Sequence, residues 1–194
     1  WVRSCHFEEQ IKSHQTSFQS VAFSKSSLPG WFAQGCDVKG NVFLRDTTST
    51  ATIDLNGATI GGQLTAIGAQ LFSTGPDALI ASHSRIAGGV FLHPRTKEEK
   101  EKVETPFRST GEIRLNGATI GGLYTQRTTL IATSTGQSLS LGGATVNGAV
   151  RLDGCDSTGE LIVASTRITG RLTYERMKLR NDAGNAFNGR ATRV

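Results

Sequence analysis

The eight residues LNGATIGG occupy positions 115–122, and the same eight residues already stand at positions 55–62. The stretch contains no His, Cys or Asp, so it offers none of the side chains that most often carry out chemistry. A recurrence of this kind indicates an internal repeat, and the period of a repeat determines the fold. The rest of the chain is therefore best read in the register of these two copies.

The register extends from the two identical stretches to seven copies across most of the chain. The equivalent apolar residues, taken as the reference column, are Val38, Ile60, Ile86, Ile120, Val146, Ile168 and Val194. Two residues later stands a glycine column, Gly40, Gly62, Gly88, Gly122, Gly148 and Gly170. Four residues later, the expected inward-facing residues are Val42, Leu64, Val90, Tyr124, Val150 and Leu172. Aligned columns over this many copies are typical of a repeat protein.

The spacing inside each copy predicts the shape of the repeat. Inward residues come in pairs two positions apart, as in short extended segments whose alternate side chains point to one face. Successive pairs begin five or six residues apart, so one copy supplies four segments. We therefore predict an all-β, single-stranded, four-sided β-solenoid of about eight coils. A sandwich of two-stranded hairpins is the alternative, and the glycine column is expected at a corner, where the backbone is left-handed or crowded.

A second spacing adds a resemblance to a known family. Phe18, Phe23 and Leu28 follow one another at strict five-residue intervals. This spacing resembles the pentapeptide-repeat family of right-handed, four-sided β-helices, and the resemblance covers residues 18–194. It implies a right-handed coil and a multi-turn scaffold.

Several longer units are similar to a further group of repeat proteins. GNVFL at 40–44, GGVFL at 88–92 and TGEIRLNGATIGG at 110–122 resemble units of bacterial proteins that are often labelled membrane-associated oxidoreductases. The sequence contains no redox motif and no apolar run long enough to cross a membrane, so we expect neither property here. The resemblance implies an intracellular bacterial scaffold, and we expect it in the cytoplasm.

Two segments depart from the repeat and define the predicted organisation. Residues 1–17 break the pattern, and Phe7 and Ile11, four residues apart, predict an N-terminal cap or short helix. Residues 18–194 are predicted to form the solenoid, with a charged insertion at 93–110 where one step is longest. Because a solenoid exposes unpaired strand edges at its ends, we expect a cap, a continuing chain or self-association through the ends.

The insertion at 93–110 is the first candidate for function, because function in solenoids lies on outward columns, insertions or ends. The candidate interaction residues are Lys97, Glu98, Glu99, Lys100 and Lys102. A solvated excursion is the simpler interpretation, but long loops on rigid scaffolds are frequent interaction sites. We therefore predict a non-enzymatic scaffold or protein–protein interaction module with an unknown protein partner.

The basic character of the C-terminal part of the chain is the second candidate. The chain carries a formal charge of +5, and from Glu160 onward seven Lys and Arg against three acidic residues give +4. The candidate anion-binding residues are Arg85, Arg167, Arg171 and Arg193. Such a face would bind nucleic acid or an anionic surface. Aromatic residues near it are few, so this function is the alternative to the interaction scaffold.

Catalytic chemistry is not indicated by the polar residues. None of the four histidines pairs with another at a metal-ligand spacing, and no C-x-x-C motif occurs, so we expect no catalytic residue, metal site or cofactor. The cysteines, expected to be reduced thiols, are Cys5, Cys36 and Cys155. Sugar-cleaving β-helix enzymes need paired carboxylates, whereas Asp37, Asp54 and Glu112 are expected to be scattered on the outside. We therefore predict that the protein is not an enzyme.

Overall fold

The computed structural model describes residues 2–95 and 105–194, which contain 26 short strands and no helix. In chain order the first strands are β1 (Val2–Arg3), β2 (Ile11–Lys12), β3 (Ser17–Phe18), β4 (Val21–Ser24), β5 (Ser27–Leu28), β6 (Trp31–Phe32), β7 (Asp37–Val38), β8 (Val42–Phe43), β9 (Thr48–Ser49), β10 (Ile53–Asp54), β11 (Thr59–Ile60), β12 (Leu64–Thr65) and β13 (Gln70–Ile80). The remaining strands are β14 (Arg85–Phe91), β15 (Arg108–Arg114), β16 (Thr119–Tyr124), β17 (Thr129–Ile131), β18 (Gln137–Ser140), β19 (Thr145–Val146), β20 (Val150–Arg151), β21 (Asp156–Thr158), β22 (Glu160–Ile162), β23 (Arg167–Ile168), β24 (Leu172–Thr173), β25 (Lys178–Arg180) and β26 (Phe187–Asn188). Nowhere in these residues does a helix occur that could span a lipid bilayer.

The strands stack in parallel register from one coil to the next. One ladder of directly paired residues runs through Ile11, Trp31, Ile53, Leu79, Ile113, Leu139, Leu161 and Phe187. Its eight members within the described residues mark eight successive turns of the chain. The protein is therefore an all-β solenoid of about eight coils, as the repeat predicts.

The pairings within the described chain form four parallel ladders. The first contains β2, β6, β10, β13, β15, β18, β22 and β26, and the second contains β3, β7, β11, β14, β16, β19 and β23. The third contains β1, β4, β8, β12, β14, β16, β20 and β24, and the fourth contains β5, β9, β13, β15, β17, β21 and β25. The longer strands β13 to β16 each contribute to two ladders. The four-sided cross-section and the right-handed coil stay predictions.

The core lies inside the coils, where the repeated apolar columns meet. Residues of the reference column pair directly, as Ile60 does with Val38 and Ile86, and all three are buried. Parallel stacking places each apolar side chain above its counterpart in the preceding coil, so one continuous hydrophobic cluster fills the interior of the described solenoid.

The inward position predicted for Tyr124 is wrong. Leu123, not Tyr124, pairs with Val90 and is fully buried. The reason is a shift in register. Ile86 pairs with Ile120 and Gly89 pairs with Gly122, so the later coil has one residue fewer between these two pairs. Tyr124 therefore faces outward beside Phe91.

The glycine column is required by crowding between coils. The amide N–H of Gly62 donates to the carbonyl oxygen of Gly40 at 2.8 Å, and that of Gly88 donates to Gly62 at the same distance. The position predicted for Gly122 is wrong, because Gly122 pairs with Gly89 and Gly121 stacks on Gly88 instead. A Cβ atom on Gly148 would lie 2.3 Å from the carbonyl oxygen of Gly121, far inside contact distance. The column thus permits close backbone approach, one of the two roles predicted for it.

The short helix predicted within residues 1–17 is wrong, because this segment forms extended backbone that pairs with the following coil. Ile11 pairs with Trp31, and the Ile11 amide N–H donates to the Gly30 carbonyl oxygen at 3.2 Å. Phe7 contacts Phe23 edge to face, with ring centroids 5.8 Å apart. The open strand edge of the following coil offers more hydrogen bonds to this segment than an isolated helical turn could make for itself.

Candidate binding cleft and charged clusters

The insertion is anchored at its base. Arg95 and Thr105 form an antiparallel bridge, with the Arg95 N–H donating at 2.8 Å and the Thr105 N–H donating back at 3.3 Å. Gln70 Nε2 donates to the carbonyl oxygen of Pro106 at 2.5 Å, and Phe107 is fully buried in the core. The chain therefore leaves and rejoins the coil at one fixed place. The predicted interaction residues Lys97, Glu98, Glu99, Lys100 and Lys102 lie outside the described residues.

Beside this base lies a cleft of about 460 Å³, here called the basic cleft. Its charged residues are Arg3, Lys25, Arg45, Asp46 and Arg95. Its other lining residues are Val2, Ala22, Ser24, Ile67, His93 and Pro94. A mainly apolar floor under convergent polar groups is the usual composition of a small-molecule site. His93, Pro94 and Arg95 belong to the insertion predicted to be functional, but none of the lining residues was among the named candidate residues.

The corner geometry of the coils brings the cleft residues together. Lys25 and Asp46 occupy equivalent corners with φ of 56° and 54°, in the left-handed region. The Lys25 N–H donates to the Arg45 carbonyl oxygen at 2.8 Å, and the Asp46 N–H donates to that of Ile67 at 2.9 Å. Because each corner stacks on the next, residues about 20 positions apart in sequence stand roughly one strand spacing, about 4.8 Å, apart in space.

Most of the positive charge in the cleft is uncompensated. Arg95 Nη1 lies 2.5 Å from Asp46 Oδ2, whereas no carboxylate among the described residues lies within 4 Å of Arg3, Lys25 or Arg45. The guanidinium of Arg45 sits 5.0 Å from the centre of the Phe43 ring, a cation–π contact. Four cationic side chains against one carboxylate give the cleft a formal charge of +3.

An outward aromatic column runs away from the cleft and was missed by the sequence reasoning. The rings of Phe91 and Tyr124 stack with centroids 4.8 Å apart and an interplanar angle of 7°. Arg151 lies 5.9 Å from the Tyr124 ring centre, and His93 contacts Phe91 edge to face. His93 also lines both the basic cleft and a second cleft of about 340 Å³ against Phe91 and Tyr124. The equivalent positions of Phe43 and Phe91 in the repeat could have indicated this column from the sequence. Tyr124 could not be assigned to it, because its copy of the repeat is one residue shorter before Leu123.

The predicted anion-binding arginines are only partly brought together. Arg85, Arg167 and Arg193 fall in one outward column, here called the arginine column, through successive parallel pairs. Arg167 and Arg193 are neighbours, but Thr119 and Thr145 separate Arg167 from Arg85. Arg171 lies beyond the column, where its carbonyl oxygen accepts from the Val150 N–H. These exposed arginines enclose no described cleft.

The expectation that Asp54 and Glu112 are scattered on the outside is wrong. Both are buried, and Glu112 lies in an acidic cluster with Asp77 and Arg114. Arg114 Nη2 lies 2.9 Å from Glu112 Oε2, a hydrogen bond, and 2.7 Å from Asp77 Oδ1, an ion pair without hydrogen-bond alignment. Sequence reasoning missed this arrangement because Asp77 joins Glu112 through an irregular stretch of the β13–β15 pairing.

The acidic cluster shifts the titration of its members. Burial raises the pKa of Asp77; the Arg114 charge opposes this, while Glu112 and Asp54 reinforce it. The hydrogen bond with Glu112 raises the pKa of Arg114, so the guanidinium stays charged. Asp77 Oδ1 and Glu112 Oε1 have no hydrogen-bond partner among the described residues. With one cation shared between two carboxylates, the cluster is a structural ion-pair group whose acids are buried and whose Arg114 side chain is partly exposed.

The cysteines and histidines form no reactive group in the described chain. Cys36 and Cys155 are buried free thiols, and Cys5 is exposed. Burial raises the pKa of Cys36 to about 11 and also raises that of Cys155, so both stay protonated thiols. No group of three His, Cys, Asp or Glu side chains within residues 2–95 and 105–194 is placed to hold a metal ion.

No protein-family model matches the chain, and no curated protein matches it in sequence. Its fold and the geometry of its surfaces therefore carry the functional argument.

Proposed function

We propose that the chain is a non-enzymatic binding scaffold, a pentapeptide-repeat-like coil that holds the insertion at 93–110 out to a protein partner. The observation that supports this proposal is the anchored base, where Arg95 and Thr105 pair and Phe107 is buried in the core. A protrusion fixed at both ends loses less conformational entropy on binding than a free loop of the same length. The scaffold would act in the cytoplasm of a bacterium, in keeping with the family resemblance and the free thiols.

A comparison of two chains tests the proposal. One is the intact chain, and the other has residues 96–104 replaced by a short Gly-Ser linker that leaves the Arg95–Thr105 bridge in place. A third chain, with the charges at Lys97, Glu98, Glu99, Lys100 and Lys102 permuted but not removed, controls for composition. We expect a partner captured by the intact chain to be lost with the linker and weakened by the permutation, with binding remeasured on the purified pair. Equal capture of the same proteins by all three chains would refute the scaffold role of the insertion.

Binding of nucleic acid or an anionic surface through the arginine column is the second candidate function. It is supported by the neighbouring positions of Arg167 and Arg193 on one outward column, with Arg171 close by in sequence. A phosphate-binding face loses affinity steeply as salt concentration rises. We expect R167Q/R193Q to reduce both the affinity for a DNA duplex and the slope of its salt dependence. An unchanged slope would exclude this column as the binding face.

A further inference from the structure

We propose that the basic cleft binds a small phosphate-bearing ligand whose remaining part is planar or apolar. The cleft takes His93, Pro94 and Arg95 from the start of the insertion at 93–110, but it requires no protein partner. Four cationic side chains from separate coils line one cavity, namely Arg3, Lys25, Arg45 and Arg95. The volume of about 460 Å³ falls within the range of small-molecule sites, about 300–1,000 Å³.

The charge of the cleft calls for an anion. Like charges gathered around a partly enclosed space repel one another, and an anion between them removes that repulsion. Three of the four cations have no carboxylate within 4 Å among the described residues, so their donors are free to contact a ligand. An ordinary solvated surface would intersperse acids with such a group, whereas among the described lining residues Asp46 is the sole acid and is already paired with Arg95.

Two of the cations in the cleft, Arg95 and Arg45, have side-chain contacts that hold them in place before any ligand arrives. Asp46 fixes Arg95 through the 2.5 Å ion pair, and Phe43 supports Arg45 from below at 5.0 Å. Lys25 projects from a left-handed corner that is itself pinned by the hydrogen bond to the Arg45 carbonyl oxygen. Prior ordering of this kind lowers the entropic cost of binding.

Phosphate fits these donors better than the carboxylates of an acidic peptide. Arginine guanidinium groups bind phosphate through paired hydrogen bonds, and lysine adds a point charge. A formal charge of +3 in one small cavity matches a diphosphate group, whose negative charges are concentrated on adjacent atoms. An extended acidic peptide spreads its charges along roughly 3.3 Å per residue and would place most of them outside the cleft.

The remaining lining indicates what the phosphate is attached to. Ile67 and Pro94 offer an apolar floor, and His93 leads from the cleft to the stacked rings of Phe91 and Tyr124. A planar group attached to the phosphate would lie across His93 toward Phe91. Nucleoside diphosphates have both parts, so ADP is the appropriate probe.

Isothermal titration calorimetry of the full chain at low salt tests the proposal, with ADP, inorganic pyrophosphate and adenosine as separate titrants. We expect ADP and pyrophosphate to bind and adenosine not to bind. The variant K25Q/R45Q removes two exposed cations, each of which contributes about one charge-assisted hydrogen bond. The affinity for ADP should therefore fall at least about tenfold. R176Q/K178Q, which removes one arginine and one lysine charge from exposed positions outside both the cleft and the arginine column, is the matched control and should leave ADP binding unchanged.

Four results would overturn the proposal. The first is that neither ADP nor pyrophosphate gives a heat of binding, and the second is that K25Q/R45Q binds ADP as tightly as the intact chain. The third is an equal loss of ADP affinity in both double variants. The fourth is that an octaglutamate peptide binds and the two phosphate compounds do not. Circular dichroism of each variant shows whether the coil is intact, and the exposure of Lys25 and Arg45 predicts that it is. A ³¹P chemical-shift change of pyrophosphate that disappears in K25Q/R45Q would give independent support.

Discussion

The basic cleft and the acidic cluster are both groups of like charges drawn together by the stacking of coils, yet the two regions differ in how that charge is accommodated. In the acidic cluster, Asp77 and Glu112 are buried and share the single cation of Arg114. In the basic cleft, Lys25 and Arg45 are exposed and have no carboxylate partner among the described residues. Burial makes an unpaired charge costly, whereas water tolerates it.

The difference separates structural charge from charge that is available to a ligand. In the acidic cluster the fold itself supplies the counter-charge through Arg114, and burial favours the neutral form of Asp77, so the charge is met within the protein. An exposed group inside a cavity remains uncompensated at little cost and gains most from a bound anion. The arginine column illustrates a third situation, since Arg85, Arg167 and Arg193 are exposed but lie on a face that does not converge.

The largest expected effect comes from removing the cation of the acidic cluster. R114A leaves Asp77 and Glu112 buried without a counter-charge, which should cost about 3 kcal/mol of unfolding free energy at neutral pH. Urea unfolding at neutral and mildly acidic pH measures the loss, which should shrink in acid as the carboxyl groups take up protons. R85A, in the arginine column, is the control and should change stability by less than about 0.5 kcal/mol. Equal losses in the two variants would remove the contrast between buried and exposed charge.

An intermediate effect is expected at the Arg95–Asp46 ion pair of the cleft. R95A leaves the Asp46 side chain, 15% exposed, without its partner, while Arg95 itself is 41% exposed. The cost should be about 1 kcal/mol, between the values for exposed and buried pairs. Chemical unfolding beside the double variant R95A/D46N tests the cause, because removing the acid as well should restore most of the lost stability. No recovery in the double variant would locate the effect elsewhere.

A smaller, pH-dependent effect is expected from Asp77, which faces Arg114, Glu112 and Asp54. Its pKa is raised above the ordinary value of 3.8, chiefly by burial, so the folded state binds this proton more readily than the unfolded state. The stability contributed by the neutral carboxyl group is therefore present at the acid end and lost as pH rises through the folded-state pKa. D77N should flatten this part of the stability–pH curve.

Asp153 provides the contrast for that curve. Burial acts to raise its pKa, but hydrogen bonds from Thr173 and the Glu175 N–H outweigh burial and leave the pKa lowered. Its contribution is thus present above 3.8 and lost as pH falls through the folded-state pKa. D153N should flatten the stability–pH curve only below that value, and an identical change in both variants would contradict the assignment.

The smallest effect is expected at the unpaired cations of the basic cleft. K25Q/R45Q relieves like-charge repulsion and removes no ion pair, so stability should change by no more than about 0.5 kcal/mol. Any gain should appear at low salt and vanish at high salt, where the repulsion is screened. Thermal unfolding at two salt concentrations measures it. A loss of stability at low salt would show that these cations stabilise the fold and are not simply available to bind a ligand.

The columns of the repeat were predictable because each copy spells the same inward residues. The reference column holds from Val38 to Ile168, since parallel stacking places like residues above one another, whereas Val194 is exposed and Gly121 takes the place predicted for Gly122. Tyr124 was misplaced because runs of glycine leave the local register open, and the pairing of Leu123 with Val90 resolves it. The prediction of a helix around Phe7 and Ile11 was wrong because local spacing contains no information about the strand edge at Trp31, with which the segment pairs.

The sequence by itself determined that this protein is a repetitive β structure, because an inward residue at each short segment has to be apolar or small in every copy. It also showed an excess of positive charge, and counting along the chain pointed to the C-terminal arginines. Only the tertiary structure decided which charges meet. Arg3, Lys25, Arg45 and Arg95 are dispersed in sequence and gather at one corner, because the coil returns to the same place once per turn.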